Sequence, residues 1–176
     1  DYSQAELRRN IGLVLQDPFL YHGTIASNIR MYQESLSQAE VEEAARFVDA
    51  HDFISQLPQG YDNPVTERGS TFSSGQRQLL AFARTIATKP KILILDEATA
   101  NIDSETEELI QHSLRKMRQG RTTIAIAHRL STIQDANCIY VLDKGRIIES
   151  GSHEELLAQN GTYKKMYQLQ AGMMDA

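Results

Sequence analysis

The chain has 176 residues, 41% of them hydrophobic and 23% charged, which predicts one globular domain with a hydrophobic core. Its net charge of −5 and pI near 5.5 argue against nucleic-acid binding, because domains that bind nucleic acid are usually basic. The apolar stretches are shorter than the about 20 residues of a membrane span, and the start DYSQAELRRN is typical of neither a signal peptide nor a natural N-terminus.

Four elements are predicted in the first half of the chain. The apolar run 11–15 predicts a short strand, and residues 39–57 have helical periodicity. A polar loop is predicted at 58–71, followed by a helix at 76–88 that ends before Pro90.

The second half continues the alternation of strands and helices. The continuous apolar run 91–95 predicts a strand buried on both faces, then a helix follows at 104–118 and a strand at 122–127. Residues 138–151 predict a hairpin, and the tail from Ser152 predicts helix. Serine and glutamate three residues apart predict helix starts at Ser37/Glu40, Ser104/Glu107 and Ser152/Glu155. The alternation predicts an α/β domain with a parallel sheet.

Two carboxylates, Asp96 and Glu97, follow the strand predicted at 91–95. Ligands of a parallel sheet bind in the crevice outside the carboxyl ends of its strands. A carboxylate that leaves the strand there can hold Mg²⁺, which prefers one or two carboxylates together with substrate phosphates. The residue after it, Glu97, points in a different direction from Asp96 and can polarise a water for in-line attack. The pair alone is equally compatible with a cap for the following helix.

The segments around this pair resemble the motifs of ABC-type ATPases, in the family's order and over nearly the whole chain. ILILDEAT (92–99) resembles the Walker B motif, with Asp96 as the magnesium aspartate and Glu97 as the general base. FSSGQ (72–76) is similar to the signature motif, usually Leu-Ser-Gly-Gly-Gln. The other matches are the Q-loop VLQDPFLYHGTIASNI (14–29) with Gln16, PVTERG (64–69), which exporters use for interdomain contact, the D-loop ATANID (98–103) with Asp103, and the switch IAIAHRLST (124–132) with His128.

The resemblance implies roles for these residues toward ATP and Mg²⁺. Gln16 would reach Mg²⁺ and the attacking water, and His128 would contact the γ-phosphate and hold the water in line with Glu97. The signature would contact the γ-phosphate of ATP bound to the opposite subunit, through Ser73, Ser74, Gly75 and Gln76. Small residues at a helix N-terminus expose backbone N–H groups to a phosphate, although Ser73 and Gln76 also have the spacing of an ordinary cap. Asp103 would lie at the dimer interface.

The resemblance also implies an ABC P-loop NTPase core with a helical signature subdomain at about 30–88, the remaining residues forming the rest of the core. Its partners would be a second ATPase domain and a transmembrane domain, on the cytoplasmic face of the membrane, as in bacterial multidrug-type exporters. The one cysteine, Cys138, cannot form an internal disulfide; we expect a reducing compartment and a buried strand position for it.

Two departures from the family pattern matter. The phosphate loop G-x-x-x-x-G-K-[ST] is absent, so we expect it upstream together with the strand that precedes it. We therefore expect the chain alone to bind ATP poorly and not to hydrolyse it. Phe72 and Ser74 replace the usual Leu and Gly of the signature, while Glu97 and His128 match. This combination favours a heterodimer with one degenerate site.

Other functions remain open at this point. An importer's detached ATPase subunit would carry the same motifs, although PVTERG (64–69) favours an exporter. A non-catalytic ABC-fold fragment that only binds a partner could also retain them. An ABC-type ATPase of DNA repair would need coiled-coil or basic DNA-facing segments, and the sequence has neither.

Overall fold

The structure, a computed structural model, describes residues 2–31, 33, 35–66, 69–96, 104–127 and 129–172, without the side chains of residues 104 and 105. The chain divides into two units, residues 1–126 and 127–176. In the described part of the chain, no helix combines the length and hydropathy needed to cross a membrane.

Helices and strands alternate, as the sequence predicts. The first unit contains α1 (Gln4–Arg9), β1 (Ile11–Val14), β2 (Gly23–Thr24), α2 (Ile25–Arg30), α3 (Gln38–Phe47), α4 (His51–Ser55), β3 (Pro64–Val65), α5 (Ser74–Ala87), β4 (Ile92–Asp96), α6 (Ser104–Arg118) and β5 (Thr122–Ile126). The second unit contains β6 (Ile139–Asp143), β7 (Arg146–Gly151), α7 (His153–Ala158) and α8 (Thr162–Gln170). The helix predicted at 76–88 begins two residues earlier, and the loop predicted at 58–71 includes the short strand β3.

The main sheet is parallel, with the strand order β1-β4-β5 among the described residues. Ile11 is paired with Ile92 on one side of the central strand, and Ile92 with Thr122 on the other. Parallel strands need crossover connections, and helices α5 and α6 lie in the connections on either side of β4. The predicted α/β class with a parallel sheet is therefore confirmed.

One face of this sheet packs against helices to form the core. Leu93 and Leu95 of β4 are buried there with apolar residues of α5 and α6, which include Phe82 and Ile110. The prediction that β4 is buried on both faces is wrong, because its alternate residues are only half-buried.

The opposite face carries a row of apolar side chains in register, Leu13, Ile94 and Ile124. Leu13 is 52% exposed and Ile124 is 54% exposed. We call Leu13, Ile94 and Ile124 the open row.

The helical periodicity of 39–57 is confirmed in α3 and α4, but a turn at residues 48–50 separates the two helices. Asp49 has a φ of 60°, in the left-handed region that ends helices. The amide of Ala50 donates to Ala45 O at 2.8 Å and that of Asp49 to Arg46 O at 3.2 Å, the two bonds of a Schellman motif. Aspartate tolerates this conformation better than most residues, so no glycine is needed to end α3.

The second unit contains the predicted hairpin, in which β6 and β7 are antiparallel. Its turn residues Lys144 and Gly145 both have positive φ, 46° and 75°, as a two-residue hairpin turn requires. Cys138 precedes β6 and is exposed, so its predicted burial in a strand is wrong. The first residue of β6, Ile139, is buried instead.

Candidate nucleotide-binding site

The carboxyl ends of the three parallel strands meet at one edge of the sheet. Val14 at the end of β1 is paired with Leu95, and Asp96 at the end of β4 is paired with Ile126. Gln16 follows β1 by two residues and is exposed, while Asp96 is half-buried. The register therefore brings the segments that carry Gln16 and Asp96 to the same edge. Glu97, Asp103 and His128 lie outside the described residues.

Close packing against α5 positions β1 and therefore Gln16. A Cβ atom at Gly12 would lie only 2.6 Å from Thr85 Cγ2 and 2.8 Å from Pro90 Cγ, so only glycine allows this approach. The Thr85 hydroxyl donates to Leu13 O at 3.3 Å. The carbonyl of Asn10 accepts from the amides of Lys91 and Ile92, which fixes the start of β1 against β4.

The loop that follows Gln16 is held by two polar residues that the sequence analysis missed, Asn28 and Arg84. The buried Asn28 side chain accepts from Tyr21 N at 2.8 Å and donates to Tyr21 O at 2.8 Å. Arg84 of α5 donates to Phe19 O at 2.9 Å and to Asn28 O at 2.8 Å. The only sequence feature that could have indicated this role is that each helix has a polar residue within its apolar pattern, Asn28 in α2 and Arg84 in α5.

The structure joins the Gln16 loop to the segment that begins at Pro64. Gly23 and Thr24 of β2 are paired with Val65 and Pro64 of β3 in an antiparallel ladder. Gly69 also packs against Leu20 of the Gln16 loop. A Cβ atom at position 69 would lie 2.6 Å from Leu20 Cδ1. The segment that resembles the Q-loop and the segment that resembles an interdomain-contact motif are therefore neighbours in the fold. Residues 67 and 68 lie outside the described residues.

The signature-like segment forms the N-terminus of α5 through a complete capping box. Gln76 N donates to Ser73 Oγ at 3.1 Å, and Ser73 N donates to Gln76 Oε1 at 3.0 Å. The capping interpretation of Ser73 and Gln76 is thus confirmed. A capping box satisfies only two of the four amides that open a helix. The amides of Ser74 and Gly75 have no carbonyl one turn earlier inside the helix, so any acceptor for them lies outside it. Ser74 is half-buried and Gly75 is buried.

Phe72, the first departure from the usual signature, is a core residue. Its side chain is 5% exposed and packs in the main hydrophobic cluster. Arg77 Nη1 donates to Phe72 O at 2.7 Å, which holds the residue before the cap against α5. The phenylalanine at this position therefore contributes to the core beneath the helix start. Ser74, the second departure, is half-buried in the first turn.

The chemistry of these groups fits a magnesium–nucleotide complex. Two open amides at a helix N-terminus suit a phosphate oxygen. The Asp96 carboxylate and the Gln16 amide oxygen are ligands of the kind that Mg²⁺ prefers, with the remaining positions taken by water and phosphate. No cluster of three metal-binding side chains occurs among the residues that the structure describes. A cation that shares its ligands with a substrate does not need one.

A parallel α/β sheet with a carboxylate at the carboxyl edge of its strands is the architecture of many nucleotide-binding domains. The family model described as "ABC transporter" matches residues 1–100. The chain therefore belongs to the ABC transporter family, and the predicted ABC ATPase fold is confirmed.

Relatives with related descriptions match almost the whole chain. It is 80% identical over 174 residues to a protein of Streptococcus pneumoniae described as "Putative ABC transporter ATP-binding protein exp8", covering 99% of this chain and 30% of that protein. It is 55% identical to the "Probable multidrug resistance ABC transporter ATP-binding/permease protein YheH" of Bacillus subtilis, covering 97% of this chain and 25% of the relative.

A solved structure has the same fold. It is titled "Structure of a bacterial Atm1-family ABC exporter with ATP bound", with a TM-score of 0.87 and 47% identity over 96% of this chain. The chain spans 30% of that exporter chain. It thus corresponds to under a third of each of these proteins.

Proposed function

We propose that the chain is part of the ATP-binding and ATP-hydrolysing domain of an exporter of the multidrug type. The observation that carries this proposal is the start of α5, where the capping box leaves the amides of Ser74 and Gly75 for an outside acceptor. The printed descriptions of the relatives, with their ATP-binding and multidrug-resistance wording, support the same function.

Asp96 and Gln16 are the proposed ligands of Mg²⁺. The ion, when bound with ATP, neutralises charge on the phosphates. Glu97, next to Asp96 in the chain, accepts a proton from the attacking water as general base, and His128 contacts the γ-phosphate and keeps that water in place. These two roles rest on the Walker B and switch motifs of the sequence.

The proposed partner at the signature is a second ATPase domain. In this arrangement Ser73, Ser74, Gly75 and Gln76 bind the γ-phosphate of a nucleotide held by the partner, and Asp103 lies in the interface. Ser74 places a Cβ atom where the usual glycine has none, which supports a heterodimer with one weakened site.

The proposed partner at the Gln16 loop is a transmembrane domain, which places the ATPase domain at the cytoplasmic face of the membrane. The pairing of β2 with β3 supports this proposal, because it makes one surface of the Gln16 loop and the segment starting at Pro64.

The test is ATP turnover by the full-length transporter that contains this chain, with Glu97 replaced by glutamine. We expect turnover to fall by about a hundredfold or more, since a general base contributes 10²–10⁴-fold, while ATP binding is retained. The matched control is Glu108→Gln, an exposed glutamate on α6, which should leave turnover unchanged.

Undiminished turnover in Glu97→Gln would remove the general base from this proposal. No ATP turnover in the wild-type transporter would favour the non-catalytic interaction fragment.

A further inference from the structure

Gly75 packs against the first turn of α6 more closely than any other residue could. Gly75 is buried, and a Cβ atom built on it would lie 2.7 Å from Thr106 Cβ and closer still to Thr106 Oγ1. Cβ atoms essentially never come within 3.0 Å of a heavy atom of a residue that is not a neighbour in the chain. The start of α5 and the first turn of α6 therefore meet here, with the Gly75 backbone against the Thr106 side chain.

The conformation of Gly75 does not explain why glycine is there. Its φ is not among the positive values of the chain, and it is the second residue of an ordinary helix. Glycine within a helix is less favourable than alanine, so this residue weakens the element that contains it. The closeness of α6 supplies a physical reason for glycine that is independent of any ligand.

The contact links two segments that the proposed function assigns to different nucleotides. Thr106 is the third residue of α6, which begins directly after residues 97–103 and thus after Glu97 and Asp103. Gly75 supplies one of the two amides of α5 that have no acceptor inside the helix. A shift of the first turn of α6 therefore moves the amide that would bind the partner's γ-phosphate.

We propose that Thr106 is a positioning residue, which sets the place of the α5 N-terminus through Gly75. It couples the segment that follows Asp96 in this subunit to the site that this subunit completes on its partner. The proposal rests on the proposed function, because it needs the signature to act on a bound nucleotide.

The test compares ATP turnover by single and double variants of the full-length transporter. We expect Gly75→Ala to lower kcat by about tenfold or more, since displaced donors lose their alignment with the γ-phosphate. Adding Thr106→Gly removes the atoms that the new methyl group meets, and we expect it to restore kcat by about fivefold over Gly75→Ala alone. Thr106→Ala added to Gly75→Ala keeps the Cβ atom and should restore less of the kcat. Thr106→Ser by itself keeps both Cβ and Oγ1 and should have the kcat of the wild type.

A second readout separates positioning from folding. ADP has no γ-phosphate, so we expect its affinity to stay within about twofold of wild type in all four variants while kcat changes. Parallel losses of ADP affinity and kcat would assign Gly75 and Thr106 to the fold alone and overturn the proposal.

The proposal and the function on which it rests fail in different ways. A wild-type transporter without ATP turnover refutes the proposed function. A transporter that hydrolyses ATP, but in which Gly75→Ala is fully active or is rescued by neither glycine nor alanine at 106, keeps the function and refutes the positioning role.

Discussion

At the residue scale, Asp49 has two structural roles. Its backbone ends α3, and its side chain accepts hydrogen bonds from residues of α6. Its carboxylate accepts hydrogen bonds from His112 Nδ1 at 3.0 Å, Ser113 Oγ at 3.1 Å and Lys116 Nζ at 3.1 Å. Partial burial by itself would raise the pKa of Asp49, but the hydrogen bonds from Lys116, His112 and Ser113 outweigh it and lower that pKa below its ordinary value of 3.8. The ionised form is therefore the one that stabilises the fold.

The lowered pKa of Asp49 predicts an acid-dependent loss of stability. The ionised Asp49 carboxylate contributes fully to the free energy of unfolding above the pKa of the unfolded state, near 3.8. This contribution is lost as the pH falls through the lower pKa of the folded state. We expect Asp49→Asn, which keeps the backbone conformation, to lower the free energy of unfolding at pH 7 by about 1–2 kcal/mol. Urea unfolding should show this difference between wild type and variant shrinking below about pH 4.

The exposed Asp52 of α4 provides the control for this measurement. Asp52→Asn removes an exposed carboxylate and should change the free energy of unfolding at pH 7 little. A constant difference between wild type and Asp49→Asn from pH 7 to pH 3 would contradict the assigned role of the charge.

Residues with distant partners were beyond what the sequence could predict. The partners of Asp49 lie more than 60 positions away along the chain, and nothing local in FVDAHD indicates them. Arg84 likewise contacts Phe19 and Asn28 across more than 50 positions. The site residue Ser73 was predictable because its cap partner Gln76 is three residues away.

At the scale of elements, serine caps recur at the helix starts. Ser37 and Ser73 both form complete capping boxes, each with a partner three residues later. Ser152 forms a third, and Ser3 and Thr24 form two more that the sequence analysis missed. The start of α6 at Ser104 agrees with its prediction, but the cap itself stays a prediction because that side chain is not described.

The matched caps separate the structural role of Ser73 from its proposed role toward ATP. We expect Ser37→Ala and Ser73→Ala to lower the free energy of unfolding by a similar amount, about 1 kcal/mol, since each loses one cap. Only Ser73→Ala should also lower ATP turnover of the full-length transporter, by about tenfold or more. Thermal unfolding and turnover are measured on the same preparations. Equal turnover in the two variants would reduce Ser73 to a cap.

Element prediction succeeded where the pattern is local and repeated. The helix at 104–118 agrees with α6, and the strands at 91–95 and 122–127 agree with β4 and β5 within one residue at each end. Helices α1 and α2 have six residues each, too few for a helical period to be recognised. The two-residue strands β2 and β3 exist only because tertiary contacts bring them together.

At the scale of the whole molecule, the parallel sheet is covered on one face only in the described residues. Parallel sheets are normally covered on both faces, because their strands are apolar on both. The sequence predicted this apolar character correctly, but which face the helices would cover depends on their packing and cannot be read from strand composition. The open row of Leu13, Ile94 and Ile124 is the result.

The open row predicts that this chain, prepared by itself, associates through the sheet. Contiguous exposed apolar surface favours association. We expect sedimentation velocity to show a weight-average mass that rises with concentration. Replacing Leu13 and Ile124 together by threonine, which keeps the preference for strand, should reduce that rise.

Leu109→Gln serves as the control for the threonine pair, because it removes an exposed apolar residue of α6 away from the open row. It should leave the association unchanged. A wild-type chain that stays monomeric at all concentrations would show that the open row does not drive self-association.

Helix α5 is held at both ends by hydrogen bonds, and this has a mechanical consequence. Ser73 caps its start, and Arg84, eleven positions later, grips the loop behind Gln16 through Phe19 O and Asn28 O. Eleven positions at about 1.5 Å each make a lever arm of about 16 Å. A hydrogen-bonded helix of this length is stiff, so a tilt that displaced the loop at one end would also displace the capped start at the other. One helix thereby connects the loop behind Gln16, which Arg84 contacts, to the amides of Ser74 and Gly75.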